Sequence, residues 1–165
     1  MNYEIIELQQ FSGKRAHIYS IIMANEDISL FERFVRTHIS TYKTELNAIT
    51  KLLTAMGCSV GVQEKYFKVQ EGIPAAGVSA LYGHIEKNLR LYCIRYGAVP
   101  IIIGGGGSAA AQPPSLQKGE KPEEVIAMMK ISKDILHKIH DGAIYRSPDG
   151  SQLKGDLIFK DHDKE

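Results

Sequence analysis

The sequence predicts an α+β fold: an antiparallel β-sheet with a long helix or helical hairpin packed on one face and a second helix near the C-terminus. Three observations carry that expectation. Apolar residues recur at three- and four-residue steps from Ser29 to Met56, short β-prone runs follow one another from Lys65 to Gly107, and a second helical period begins at Pro122. At 165 residues the chain has the length of one domain. It reads as a single unit over 1–165, with a strand pair in 3–24, a central part over 29–107, and a C-terminal helix and hairpin over 122–159.

"YEIIELQQFSGKRAHIYSIIMA" holds two β-prone runs around "SGKR", where Gly13 can supply the positive φ of a tight reversal. In the helical stretch, Phe31, Phe34, Val35, Ile39, Tyr42, Leu46, Ile49, Leu52, Leu53 and Met56 form the apolar stripe. Ser29 and Glu32 make a capping box at its start, and Gly57 can close its end. The β-branched, polar run "THIST" lowers helix propensity and allows a bend or a split into two helices.

"KYFKV" predicts a strand with Phe67 and Val69 on one face and Tyr66, Lys68 and Gln70 on the other. "EGIPAAG" reads as a loop and "VSALYG" as another strand. In "LRLYCIRYG", Leu89, Leu91 and Cys93 face one side, while Arg90, Tyr92 and Tyr96 face the other. "AVPIIIGGGG" completes the meander, its glycines ending the strand or admitting close approach of another backbone. "SAAAQPPSLQKGEKP" reads as a connector. Pro122 suits a helix start, with Glu123 and Glu124 at its positive end and Lys138 and His140 at its negative end before Gly142. Val125, Ile126, Met129, Ile135, Leu136 and Ile139 are its expected apolar face, and "PDG" turns the closing hairpin.

Apolar residues at 44% and charged residues at 24% match an ordinary globular chain. A net charge of +1 supplies no global field for nucleic acid or anionic membrane, so any such binding needs a local patch. Cys58 and Cys93 lie far apart and outside any metal-ligand spacing, which suits free, buried thiols in a reducing compartment. No run approaches the ~18 apolar residues of a membrane span, and the N-terminus lacks the basic start of a signal peptide. The expectation is a cytoplasmic protein that makes no membrane contact.

The glycine run Gly104 to Gly107 lacks the Lys of a phosphate-binding loop, and Pro113 and Pro114 oppose an immediate helix. His137 and His140 stand three apart without a third converging ligand, so no metal site is expected. What remains is the polar sheet face. Tyr66, Lys68, Gln70, Arg90, Tyr92 and Tyr96 combine cations that offset phosphate charge with rings that stack on splayed bases, a mixture suited to single-stranded RNA. Arg95 is grouped with Tyr66 and Gln70 as an RNA contact. Taken alone, such cations more often simply solvate the outer face of a half-buried antiparallel sheet.

A helical hairpin followed by "YFKV", "ALYG", "LRLYCIRYG" and "VPIIIGGGG" resembles the RelE/ParE superfamily of toxins, particularly HigB-like and phage-derived members. The resemblance spans roughly Ser29 to Gly107. It implies cleavage of mRNA on the ribosome, with a ribose 2′-hydroxyl attacking the adjacent phosphate, without metal or other cofactor, and with an antitoxin protein as partner. Arg90 matches the arginine that assists phosphoryl transfer, and Lys68 a basic residue of the preceding sheet region. Tyr92, Tyr96 or Tyr145 fills the place of a C-terminal aromatic. The chain departs from the family in its near neutrality, in the sequence "GGGGSAAAQPP" after the last strand, and in its added N- and C-terminal elements. Those departures leave room for a non-catalytic interaction module that keeps the fold.

Overall fold

The computed structural model describes residues 1–81, 88–97, 100–108 and 121–161, with the side chains of Val69 and Gln70 outside the description. The fold is mixed α and β, a mostly antiparallel sheet with three helices. Strands β1 (Tyr3–Glu7) and β2 (Ile18–Met23) precede helices α1 (Leu30–His38) and α2 (Lys43–Cys58). Then come β3 (Phe67–Ile73), β4 (Val78–Leu81), β5 (Leu89–Arg95) and β6 (Ile101–Ser108). Helix α3 (Glu123–His140) and the short strands β7 (Ile144–Arg146), β8 (Leu153–Gly155) and β9 (Ile158–Phe159) complete the order. Seven strands form one sheet in the order β3-β4-β5-β6-β2-β1-β9, and β7 pairs with β8 separately.

The long amphipathic stretch is two helices, divided at Ile39 to Tyr42, where the β-branched run disfavours continuation. Ser29 caps α1, its Oγ accepting from the Glu32 N–H at 3.1 Å. Gly57 does not close α2, which continues to Cys58, and that thiol is exposed at the helix end in place of the expected buried one, while Cys93 is buried. The smallness of Gly57 serves another purpose: an ideal Cβ there would lie 1.7 Å from the Phe11 carbonyl oxygen, so only glycine lets the β1–β2 connection approach the helix. Gly13 likewise sits against Gly57 and does not adopt positive φ; the link between β1 and β2 is a long connection in place of the tight turn.

The glycines do not end β6, which runs through all four of them. Nor is β6 simply the last strand of a meander, because it pairs antiparallel with β5 and parallel with β2. The expected loop "EGIPAAG" is also partly regular: β3 extends to Ile73, a 3₁₀ turn covers Pro74–Ala76, and Gly77 at φ +72° begins the return. Tyr66 belongs to a 3₁₀ turn before β3, outside the strand. In the expected strand "VSALYG", residues 82 and 83 lie outside the described residues, as does most of the connector after Ser108.

Two buried clusters divide the core. Phe31, Phe34, Leu46, Ile49 and Leu53 of α1 and α2 pack with Leu89, Leu91, Cys93, Ile101 and Ile103. On the opposite sheet face, Val125, Met128, Ile131 and Ile135 of α3 pack with Tyr92, Ile94 and Ile102. The polar face foreseen for β5 is therefore covered by α3. The buried stripe of α3 is centred on Met128 and Ile131, while Leu136 and Ile139 remain exposed. Among the described residues no helix is long and apolar enough to cross a membrane.

Candidate functional site

Strand alternation places Arg90, Tyr92 and Ile94 on one face of β5, the face of α3. The register Lys68↔Ala80 and Ala80↔Tyr92 puts Lys68 in the same row, two strands away and roughly 10 Å from Tyr92 along the sheet. Opposite Tyr92 the ladder is irregular. Leu91 pairs with Gly106 and Cys93 with Ile103, so the single residue Tyr92 faces both Gly104 and Gly105, a β-bulge.

The glycines make different demands. A Cβ on Gly104 would press within 2.1 Å of Met128 Sδ, and one on Gly106 within 1.8 Å of the Arg90 carbonyl oxygen. Among the described residues, Gly105 has nothing within 4 Å of its Cβ position, and Gly107 has only Glu124 Oε1 at 3.6 Å. The bulge thus opens a patch of bare backbone beside the start of α3. It is a strand and not a phosphate-cradling loop.

Near that patch stand three more side chains, Arg90, Glu71 and Tyr92. Arg90 Nε lies 3.3 Å from Glu71 Oε1, with the arginine side chain 18% exposed, and Arg90 Nη1 donates to its neighbour's carbonyl, Leu89 O, at 3.2 Å. Glu71 Oε2 is buried and has no hydrogen-bond partner among the described residues. Tyr92 is only 3% exposed. Burial, helped by the Glu71 and Glu124 carboxylates, pushes its phenol up to about 12, while Arg90 pulls the other way. Glu71, Arg90, Tyr92 and Glu124 therefore form one polar cluster with two carboxylates that the strand pattern does not announce, and Lys68 stands two strands away in the same row as Tyr92. Glu71 sits in the irregular part of β3 and Glu124 in the first turn of α3. The spacing of acids along the chain carries no sign that Glu71 would meet Arg90 or that Glu124 would act on Tyr92.

The other residues foreseen for the site lie elsewhere. Tyr96 shares the α3 face but stands four residues along the strand from Tyr92, its hydroxyl 2.6 Å from Ser132 Oγ. Ser132 in turn donates to the Ala76 carbonyl, so the Tyr96 proton goes to the serine. Burial raises that phenol to about 12, with the serine bond opposing. Arg95 and Tyr66 belong to the opposite face. Arg95 is 9% exposed, stacked at 4.0 Å on the Phe67 ring and held by both Glu64 carboxylate oxygens at 2.8 and 2.6 Å. Tyr66 packs against the α1–α2 cluster. Gln70 lies on β3 with its side chain outside the description. Tyr145 is exposed on β7, away from the cluster.

Compared with known protein families, curated proteins and solved structures, the chain gives no match.

Proposed function

We propose that the chain is a toxin-like endoribonuclease that cleaves mRNA without a metal, using the cluster beside the β6 bulge. The observation that carries this reading is the pairing of Glu71 with Arg90 on one sheet face beside Gly105, where no described side chain blocks a phosphate, with Lys68 farther along the row of Tyr92. The order of elements, a helix pair followed by β3 to β6, agrees with the toxin resemblance. In the reaction, a ribose 2′-oxygen bonds to the adjacent phosphorus as the bond to the 5′-oxygen breaks. Glu71 Oε2 takes the 2′-hydroxyl proton, Lys68 donates one to the departing 5′-oxygen, and Arg90 holds the phosphoryl oxygens as charge accumulates. The products are a 2′,3′-cyclic phosphate and a 5′-hydroxyl end. The substrate in this reading is ribosome-bound mRNA, and an antitoxin protein is the restraining partner.

A second reading is favoured by two observations: Arg90 is already engaged by Glu71, and α3 lies over the row. In it the chain is a non-catalytic interaction module. Controlled expression of the wild type, Arg90→Ala and Glu71→Gln separates the two, with RNA 5′ ends mapped and folding checked by circular dichroism. The ribonuclease reading expects growth arrest and new 5′-hydroxyl ends that disappear in both folded variants. Normal growth and unchanged RNA with soluble wild-type protein would overturn it in favour of the interaction module.

A further inference from the structure

At the other end of the α3 face, a cleft of about 390 Å³ opens between β5, β6, the last turns of α3 and the β7–β8 hairpin. That volume lies within the range of small-molecule sites, roughly 300–1,000 Å³. Its walls are carbon: Ile94, Ile102, Ile144 and Leu153 are buried at the base, and Leu136 and Ile139 stand 38% and 37% exposed at the rim. Two exposed apolar side chains on successive turns of an otherwise amphipathic helix leave an uncovered stripe.

The polar side chains of the cleft are few: Arg146 and Tyr145 stand on β7 at the mouth, the Tyr96 hydroxyl is already held by Ser132, and no Asp or Glu lines the cleft among the described residues. Arg146 spends one N–H on the Tyr96 carbonyl, which fixes the guanidinium at the edge. Its other N–H groups and the Tyr145 hydroxyl have no hydrogen-bond partner among the described residues, and no carboxylate pairs with the arginine. A fixed cation beside an apolar hollow complements one kind of molecule. We propose that this cleft binds a small carboxylic acid with an aromatic or branched aliphatic body, the body between Leu136, Ile139 and Leu153 and the carboxylate on Arg146. A neutral molecule would leave the guanidinium without its anion, and a doubly charged one would bring a second charge into carbon.

The site is separate from the Glu71–Arg90 cluster, so it stands whether or not the chain cleaves RNA. The test is titration of the full chain with phenylacetate and 4-methylpentanoate, each beside its uncharged amide, following side-chain methyl resonances and melting temperature. The expected result is saturable shifts at Leu136, Ile139 and Leu153, with the acid binding at least about tenfold more tightly than its amide. Arg146→Ala should erase that preference, and Leu136→Glu, an exposed change that spares the core, should abolish binding. Equal binding of acid and amide, shifts elsewhere, or no saturable shift with a folded wild type would overturn the proposal. So would a preference that persists in Arg146→Ala.

Discussion

At the scale of single residues, the glycines of β6 separate two demands that the sequence writes with one letter. Gly106 is required by its neighbour's backbone, since a Cβ would meet Arg90 O at 1.8 Å and Leu91 Cα at 3.0 Å. A backbone cannot rotate aside as a side chain can. Gly106→Ala should therefore force β5 and β6 apart and destabilise the fold by about 1–3 kcal/mol or more. Gly105→Ala meets nothing and should change stability by less than about 1 kcal/mol, in either direction, as the gain from a stiffer unfolded chain offsets a small local cost. Chemical denaturation of the two variants decides the matter. Equal midpoints would show that the bulge gives way under a methyl group. The four identical letters also explain why the sequence suggested an end to the strand: glycine contributes no alternation, so the pattern by which a strand is recognised vanishes where the strand is held by its neighbours alone.

Elements show how far local pattern reaches. The start of α1 was legible because the signal is local: Ser29 is followed three residues later by Glu32, and its Oγ accepts the Glu32 N–H. Ser29→Ala should cost about 1 kcal/mol in equilibrium denaturation, and Ser29→Asp should restore most of it by supplying another cap. A loss equally large with aspartate would point to packing at this buried position instead. The break between α1 and α2 was legible for the same local reason, the run of β-branched residues. The buried stripe of α3 was only half legible. Val125 and Ile135 meet the sheet as their spacing predicts and Met129 packs at its edge, but Leu136 stays exposed while the unexpected Met128 and Ile131 are buried, with Gly104 beneath Met128 making room for it. Periodicity marks a face and cannot say what lies opposite. The polar cluster failed to show for a related reason: Arg90, Tyr92 and Lys68 could be placed by alternation, whereas Glu71 reaches Arg90 through an irregularity in β3 and Glu124 acts on Tyr92 from a helix far along the chain.

Across the whole molecule, the two sides of the sheet differ in chemistry, and that difference predicts how the protein comes apart in base. The α1–α2 side buries Phe11, Phe31, Phe34 and Phe67, which carry no titrating group, beside the thiol of Cys93, which burial pushes up to about 12. The α3 side holds Tyr3, Tyr19, Tyr92 and Tyr96, and burial is the first cause of the upward shift of every one of these phenols. The sign follows from the raised values. Below the ordinary tyrosine value of about 10 both folded and unfolded chains hold the proton, and the contribution of these groups to stability is fully present. As pH rises from there to about 12, the value of Tyr92 and Tyr96, the unfolded chain releases protons that the folded chain retains, and stability is lost. Each such group contributes a slope of at most about 1.4 kcal/mol per pH unit in that interval. Denaturant midpoints measured across the interval should fall, and Tyr92→Phe should flatten the fall by one group's share. Because the raised phenols sit on the α3 side and Cys93→Ala removes the raised thiol from the other, amide exchange of that variant at high pH, corrected for its intrinsic acceleration, should show α3 losing protection before α1 and α2. Simultaneous loss in all three helices would mean that the two sides of the sheet are too tightly coupled for the chemistry of one to be felt alone.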